Sequence, residues 1–322
     1  MNDLVFYSQM LVFFRQNSYF YPINIYSIKC SYMRTIPSSE LIINDDGSIF
    51  HLHLKPEQLA ETVLLVGDPG RVEMVASYFD TQECRVSNRE FVTITGTYKG
   101  KRISVISTGI GTDNIDIVVT ELDALANIDF ETRQVKPELK QLTLVRLGTS
   151  GAIQPDIKVG TILFSRTSIG FDGLLNYYEG RNDVCDLDIE KAFIKHAEWD
   201  ELLPKPYFID ADKSLFELFR DYTMEGITIS APGFYAPQGR WVRLEPADKE
   251  LNSKIESFRF GERRITNFEM EGSALAGLSA LMGHRAATIC TIIAQRVALD
   301  VETDYKLFVR NMIEMALDRL TA

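Results

Sequence analysis

The chain has 322 residues, 45% of them hydrophobic and 25% charged, a balance that suits a globular protein with room for one large α/β domain or two small ones. A formal charge of −11 repels polyanions and so excludes non-specific binding to nucleic acid or to an anionic membrane surface, and no apolar run approaches the length of a transmembrane helix. Cys30, Cys84, Cys185 and Cys290 are scattered without CxxC spacing, which suggests neither a zinc site nor a disulfide framework and fits reduced thiols in the cytoplasm.

Residues 1–32 are rich in Tyr, Phe, Asn and Ser and apolar only in patches such as Met10 to Phe14. They read as an extension outside the core: an upstream start, a flexible tail or a partner-binding arm. A secretory signal would want a basic start and a longer apolar centre, whereas Asp3 comes first and Arg15 and Asn17 interrupt the run. Residues 33–322 are taken as the domain. His51 and His53 would share a strand face, but no third ligand lies nearby in sequence, so no metal is expected.

After Glu61, TVLLV reads as a continuous apolar strand of the kind buried on both faces of a parallel sheet. Gly67-Asp68-Pro69-Gly70-Arg71 follows, and VEMVASYF then carries apolar residues at helical spacing. Backbone amides at such a helix start favour an anion and Arg71 adds a fork of donors, although the same residues would also make a plain turn. Phe91 to Thr97 and Arg102 to Thr108 alternate as a hairpin around Lys99-Gly100, with polar Ser87-Asn88-Arg89-Glu90 before it. Thr108-Gly109-Ile110-Gly111 enters a helix over NIDIVVTELDALANI. GxG without a third glycine is a weak dinucleotide signal and the chain has no Walker motif, which argues against a nicotinamide cofactor.

Residues Asp129 to Lys140 are polar and read as a loop insertion. TLVRLGTSGAI, Thr143 to Ile153, is then a buried strand running into a loop that starts at Gly148. Arg146 lies inside the apolar run. A guanidinium cannot be neutralised, so it needs an anion or many acceptors, and Gly148, Thr149, Ser150 and Gly151 offer amides and hydroxyls where open α/β sheets bind ligands. The residues equally allow an arginine that escapes to solvent at a strand edge.

Gly160 to Ser165 reads as a strand, Leu215 to Tyr222 as a helix and Ile227 to Ala231 as a strand. These alternations predict an α/β fold, a single domain with a central mixed, largely parallel sheet flanked by helices. Phe234 to Arg240, FYAPQGR, sets aromatics beside an amide and a guanidinium, chemistry suited to a flat heterocycle or to a surface loop with an aromatic anchor. Asn267 to Gly272, NFEMEG, leads into a small-residue helix. Glu269 and Glu271 would share a face if extended and could accept from vicinal hydroxyls, or could merely suit the helix dipole. ATICTIIAQR is a last core strand ending at Arg296, and Tyr305 to Leu320 a closing helix with Leu307, Phe308, Met312, Met315 and Leu320 near its apolar face.

In this order, strand-GDPGR, SNREF, STGIG, RLGTSGAI, FYxxQxR and NFEMEG resemble the nucleoside phosphorylase family that includes uridine and purine nucleoside phosphorylases. The resemblance implies that Gly67, Arg71, Arg89, Arg146 and Thr149 hold phosphate, and that Glu269, Met270 and Glu271 hold the ribose hydroxyls. It implies that His51 of the Phe50-His51 pair reaches the 5′-hydroxyl. FYxxQxR is similar to the uridine phosphorylase branch, so Gln238 and Arg240 would bind uracil, with Phe234 stacking and Arg296 nearby. Purine members of the hexameric branch place an aspartate after the last core strand, where this chain has Ala294-Gln295-Arg296.

The implied chemistry is reversible phosphorolysis of uridine to uracil and ribose 1-phosphate, with Arg71, Arg146, Gln238, Arg240 and Glu271 as the catalytic set. Inorganic phosphate is the co-substrate and no cofactor is implied. An amide that accepts from uracil N3–H would leave groups unpaired against cytosine, at a cost of roughly 1–3 kcal/mol. Arg89 and His51 are implied to act in a neighbouring subunit's site, so a homo-oligomer, dimer or hexamer, is expected. The other readings are purine phosphorolysis, a hydrolase of the same fold, and a silent binding module. Asn114 stands where some relatives carry a serine near a monovalent cation, and Gln295 replaces the usual asparagine.

Overall fold

The computed structural model describes residues 34–295, 300–301 and 304–322, so the extension at 1–32 and Arg296 lie outside the described residues. Strand β1 (Thr62–Val66) sits between two parallel neighbours, and its alternating side chains divide the interior. Val63 and Leu65 enter one core, while Leu64 and Val66 enter the other. A strand covered on both faces is the physical meaning of that unbroken apolar run.

Helix α1 (Pro69–Ala76) starts at once, with Pro69 in its first turn and the Asp68 carboxylate accepting from Gly70 N at 2.9 Å. β2 (Thr81–Asn88), β3 (Phe91–Tyr98) and β4 (Lys101–Ser107) form an antiparallel meander. Lys99 and Gly100 turn it with φ of 48° and 76°, the left-handed pair that a two-residue hairpin requires. β2 contains no apolar alternation and lies at the sheet edge, mostly exposed.

Helix α2 (Thr112–Asn127) follows. The polar stretch after it is not a plain loop: β5 (Ile128–Asp129) and β6 (Gln134–Val135) pair as a small hairpin, and Arg133 ties it to Ile36 O at 2.8 Å. His51 and His53 do not share a strand; His51 lies in a turn and His53 directly after it, at φ 55°.

β7 (Thr143–Ala152) runs through the whole Gly-Thr-Ser-Gly segment, which corrects the expected loop. Its backbone from Thr143 to Ala152 pairs in parallel with β13 (Arg285–Gln295), so those glycines have ladder partners that sequence could not supply. Between them in the chain come β8 (Ile162–Gly170), the short α3 (Arg181–Val184), α4 (Leu187–Ala197), β9 (Tyr207–Asp210), α5 (Lys213–Phe219) and β10 (Met224–Ser230). Then come α6 (Leu251–Ser257), β11 (Arg259–Phe260), β12 (Arg263–Glu269) and α7 (Gly272–Met282). After β13, β14 (Asp300–Val301) pairs back on it antiparallel, and α8 (Lys306–Thr321) closes the chain.

Most of these strands form one mixed sheet in the order β11-β12-β10-β8-β13-β7-β1-β4-β3-β2. An added antiparallel pairing of Asn267 with Ala152 and Phe268 with Gly151 joins β12 to β7. β7, β13, β8, β10 and β12 are thereby closed into a ring, with β1 to β4 extending from it.

Helices cover both faces. α2 and the almost wholly buried α7 pack on one side, and α1, α5 and α8 on the other. α8 docks through Val309, Met312, Ile313, Ala316 and Leu317, whereas Leu307, expected on that face, is 65% exposed. Among the described residues no helix is long and apolar enough to cross a membrane.

Candidate active site

A pocket of about 530 Å³ opens at the carboxyl ends of β1, β7, β12 and β13. It is lined by ten of the thirteen residues expected from sequence: Gly67, Arg71, Arg146, Thr149, Glu269, Met270, Glu271, Phe234, Gln238 and Arg240. Three regions of different chemistry meet there.

The first is cationic. β1 stops pairing with β7 at Arg146, and beyond that point Leu147 O accepts from Arg71 Nη1 at 3.2 Å, which draws the second guanidinium to the released edge. Arg146 is buried and folds back along its own strand. A Cβ on Gly148 would stand 2.1 Å from Arg146 Nη1, so the glycine serves close approach and not a turn. Burial and then the charge of Arg146 push Arg71 below its ordinary value. Arg146 Nε is buried and has no partner among the described residues. Two neighbouring guanidinium groups, an orphaned donor and the turn from Gly67 into α1 all favour an anion, and Thr149 lines the same pocket.

The second region is acidic. Arg146 Nη1 lies 3.2 Å from Glu269 Oε2, and Nη2 pairs with Glu271 Oε2. Burial alone would lower Arg146, but Glu271 and Glu269 outweigh it and raise the group above its ordinary value. Burial pushes the Glu271 carboxyl up against the pull of Arg146, and Glu269 adds to the rise. Glu271 also accepts from Gly111 N at 2.8 Å, which fixes the GIG turn to the carboxylate. Cys290 lies beneath the pair, its Sγ 3.8 Å from Arg146 Nη1, and burial pushes its thiol up to about 12.

The third region is the loop after β10. Arg240 Nη1 donates to Gln238 Oε1 at 2.5 Å and to Phe234 O at 3.0 Å, and its guanidinium lies 3.9 Å from the Phe234 ring centroid. Gly239 at φ 69° makes the turn, and any Cβ there would meet Asn252 Nδ2 at 2.2 Å. Asn252 in turn donates to Gln238 O at 3.2 Å. The amide and guanidinium are therefore set before any ligand arrives. Gln295 is turned away: its Nε2 donates to Gln154 O at 2.8 Å and Ile157 O at 3.0 Å.

Two expected residues do not line the pocket, and Arg296 lies outside the described residues. His51 and Arg89 form a second cluster. Arg89, at φ 53°, sets its guanidinium 5.8 Å from the Phe50 ring centroid, and Asn88 Nδ2 donates to His51 O at 2.8 Å. Glu121 accepts from His51 N and Leu52 N and faces His51 Nδ1 at 2.6 Å. Sequence reasoning passed over Ile110, Phe268 and Ile293, which also line the pocket. Ile110 carried a signal, a large apolar residue between two glycines; Phe268 and Ile293 read as ordinary core.

Residues 61–321 match the family described as the Phosphorylase superfamily. The chain is 33% identical over 268 residues to a uridine phosphorylase of Thermococcus kodakarensis, covering 81% of this chain and 82% of that protein. It is 30% identical over 272 residues to a purine nucleoside phosphorylase of DeoD type from Anoxybacillus flavithermus, covering 83% and 97%. The solved structure of a Trypanosoma brucei nucleoside phosphorylase, described as showing uridine phosphorylase activity, superposes with a TM-score of 0.77 at 27% identity, covering 87% of this chain and 99% of that one.

Proposed function

Because the chain belongs to the Phosphorylase superfamily, we propose that it is a uridine phosphorylase, a pentosyltransferase that uses inorganic phosphate to cleave uridine reversibly into uracil and ribose 1-phosphate. One observation carries this reading. A single pocket is lined by an arginine pair, by the carboxylates of Glu269 and Glu271, and by an amide beside a guanidinium.

Phosphate at Gly67, Arg71, Arg146 and Thr149 supplies the attacking oxygen and an anion beneath the positive charge that develops on the sugar. Glu271 and Met270 hold the ribose in register. Gln238 and Arg240 take up the negative charge gathering on the departing uracil, an electrostatic role suited to donors already in place. A uracil edge presents carbonyl acceptors beside an N3–H donor, which an amide can match and which cytosine cannot. Positioning carries the rate, and no covalent nucleophile is required.

Arg89 and His51 stand outside this pocket and complete the site of a neighbouring subunit, so the active form is a homo-oligomer. The enzyme works on free nucleosides in the cytoplasm, in pyrimidine salvage and nucleoside catabolism. Purine phosphorolysis remains the second reading on one observation: the β14 pairing returns the backbone of Asp300 opposite Gln295, near the place where purine members are expected to carry an acid.

Chromatography of products from uridine, 2′-deoxyuridine, thymidine, cytidine, inosine and adenosine, each with and without phosphate, tests the proposal. Uridine should be consumed only when phosphate is present, and cytidine spared. Inosine consumed much faster than uridine would replace the base assignment, and base release unchanged without phosphate would replace phosphorolysis by hydrolysis.

A further inference from the structure

On the phosphorolysis reading, we infer that Glu269 contacts no substrate hydroxyl. It is a positioning residue that holds the Arg146 guanidinium and the first turn of α7, and Glu271 is the single carboxylate of the ribose subsite.

Both glutamates face the pocket, two residues apart, yet their lone pairs are spent differently. A carboxylate offers about four acceptor positions. Glu269 Oε1 accepts from the Ser230 hydroxyl and from Gly272 N at 3.0 Å. Its Oε2 accepts from Glu271 N and Gly272 N, both at 2.9 Å, and Arg146 Nη1 lies 3.2 Å away. Its side chain is 1% exposed. No acceptor position is left for a sugar.

Glu271 accepts from Gly111 N on Oε1 and from Arg146 Nη2 on Oε2, and the Met270 amide also reaches it, so with about four acceptor positions it keeps about one for a sugar hydroxyl, where Glu269 keeps none.

The donors on Glu269 are themselves informative. The amides of Glu271 and Gly272 belong to the start of an 11-residue helix, where backbone N–H groups have no intrahelical partner. Ser273 N is taken by Ser230 Oγ at 2.8 Å, and the same hydroxyl donates to Glu269. Ser230 thus links β10 to the α7 start and to the carboxylate that steers Arg146. Glu269→Gln keeps the volume but turns one acceptor into a donor facing amides and a guanidinium. Arg146 then loses one of the two carboxylates that aim it.

Steady-state phosphorolysis by E269Q, S230A and E271Q tests this, with uridine, 2′-deoxyuridine and 3′-deoxyuridine at varied phosphate. E269Q should raise the KM for phosphate about tenfold and lower kcat/KM for all three nucleosides by a common factor. S230A, outside the pocket, should show the same pattern in smaller degree. E271Q should penalise uridine more than the analogue that lacks the hydroxyl it holds. An E269Q enzyme that loses uridine turnover but spares either deoxynucleoside, with phosphate KM unchanged, overturns the inference. So does a drop in kcat and Tm for E269Q and S230A without any change in phosphate KM. Phosphate-independent cleavage by the unmodified enzyme would instead remove the phosphorolysis reading, and the nucleoside series would still report on Glu269.

Discussion

Gly148 lies two residues after Arg146 on one strand, and the arginine side chain folds back over it so closely that a methyl group on Gly148 would stand 2.1 Å from Nη1 and 3.0 Å from Cys290 Sγ. A Gly148→Ala enzyme must therefore displace the guanidinium, since backbone ladders fix the strand on the β13 side. A shift of about 1 Å at a positioned group can cost about 100-fold in rate, so kcat/KM for phosphate should fall by that order while the protein stays folded. Kinetics at varied phosphate, with circular dichroism as the folding control, would check it; unchanged phosphate kinetics would refute the close-approach role.

His51 and Glu121 should act as a unit. Nδ1 of the imidazole faces, at 2.6 Å, a carboxylate that also holds the amides of His51 and Leu52, so Glu121 fixes the orientation of the ring. Replacing Glu121 by Gln should lower kcat/KM for uridine by about tenfold and leave 5′-deoxyuridine almost untouched, the size of one lost hydrogen bond. Equal losses on both substrates would show that Glu121 only supports the turn.

Beside the Phe234 ring, Gln238→Ala removes one of the partners of Arg240 as well as the amide itself. The loss should be roughly 1–3 kcal/mol in kcat/KM for uridine, with discrimination against cytidine reduced in parallel. Phosphate KM should move little. Competition assays with mixed uridine and cytidine would measure both, and an equal loss of phosphate affinity would contradict separate roles for Gln238 and for the arginine pair.

Much of this was legible from residue chemistry alone. TVLLV reads as a strand buried on both faces, and Arg146 stands out as a permanent charge within an apolar run. The strand after Arg146 was not legible, because Gly148 to Gly151 looks like a loop until β13 supplies its hydrogen bonds. β2 was hidden for a different reason: an exposed edge strand needs no apolar alternation. Glu269 and Glu271 are identical in sequence chemistry and differ only in which donors reach them, a property of tertiary placement. Leu307 misled for want of the helix's orientation, which the neighbouring α5 and β13 determine.

Asp172 gives a stability test at some distance from phosphate. Burial raises its carboxyl above the ordinary 3.8, although hydrogen bonds from Leu174 N, Tyr207 and Ser273 pull the other way. A raised folded value means that the protonated form is favoured by folding. That contribution is complete below about pH 3.8 and is lost as the pH rises through the raised value. Asp172→Asn cannot titrate, so its Tm relative to the unsubstituted protein should improve from pH 4 to pH 7. A difference that stays constant over this range would show that the carboxyl is not perturbed.

The closed ring of strands has a bearing on how such an enzyme can diversify. Arg146 on β7, Glu269 at the end of β12 and Ala294 on β13 all belong to strands that are hydrogen-bonded round a single circuit. None of them can move far without disturbing the others. The segment from Phe234 to Arg240 hangs outside that circuit, after β10, and is braced by Asn252 of α6. Exchanging this loop is therefore the least disruptive way to give the enzyme a new leaving group, with Arg146, Glu269 and the strands that hold them inherited intact.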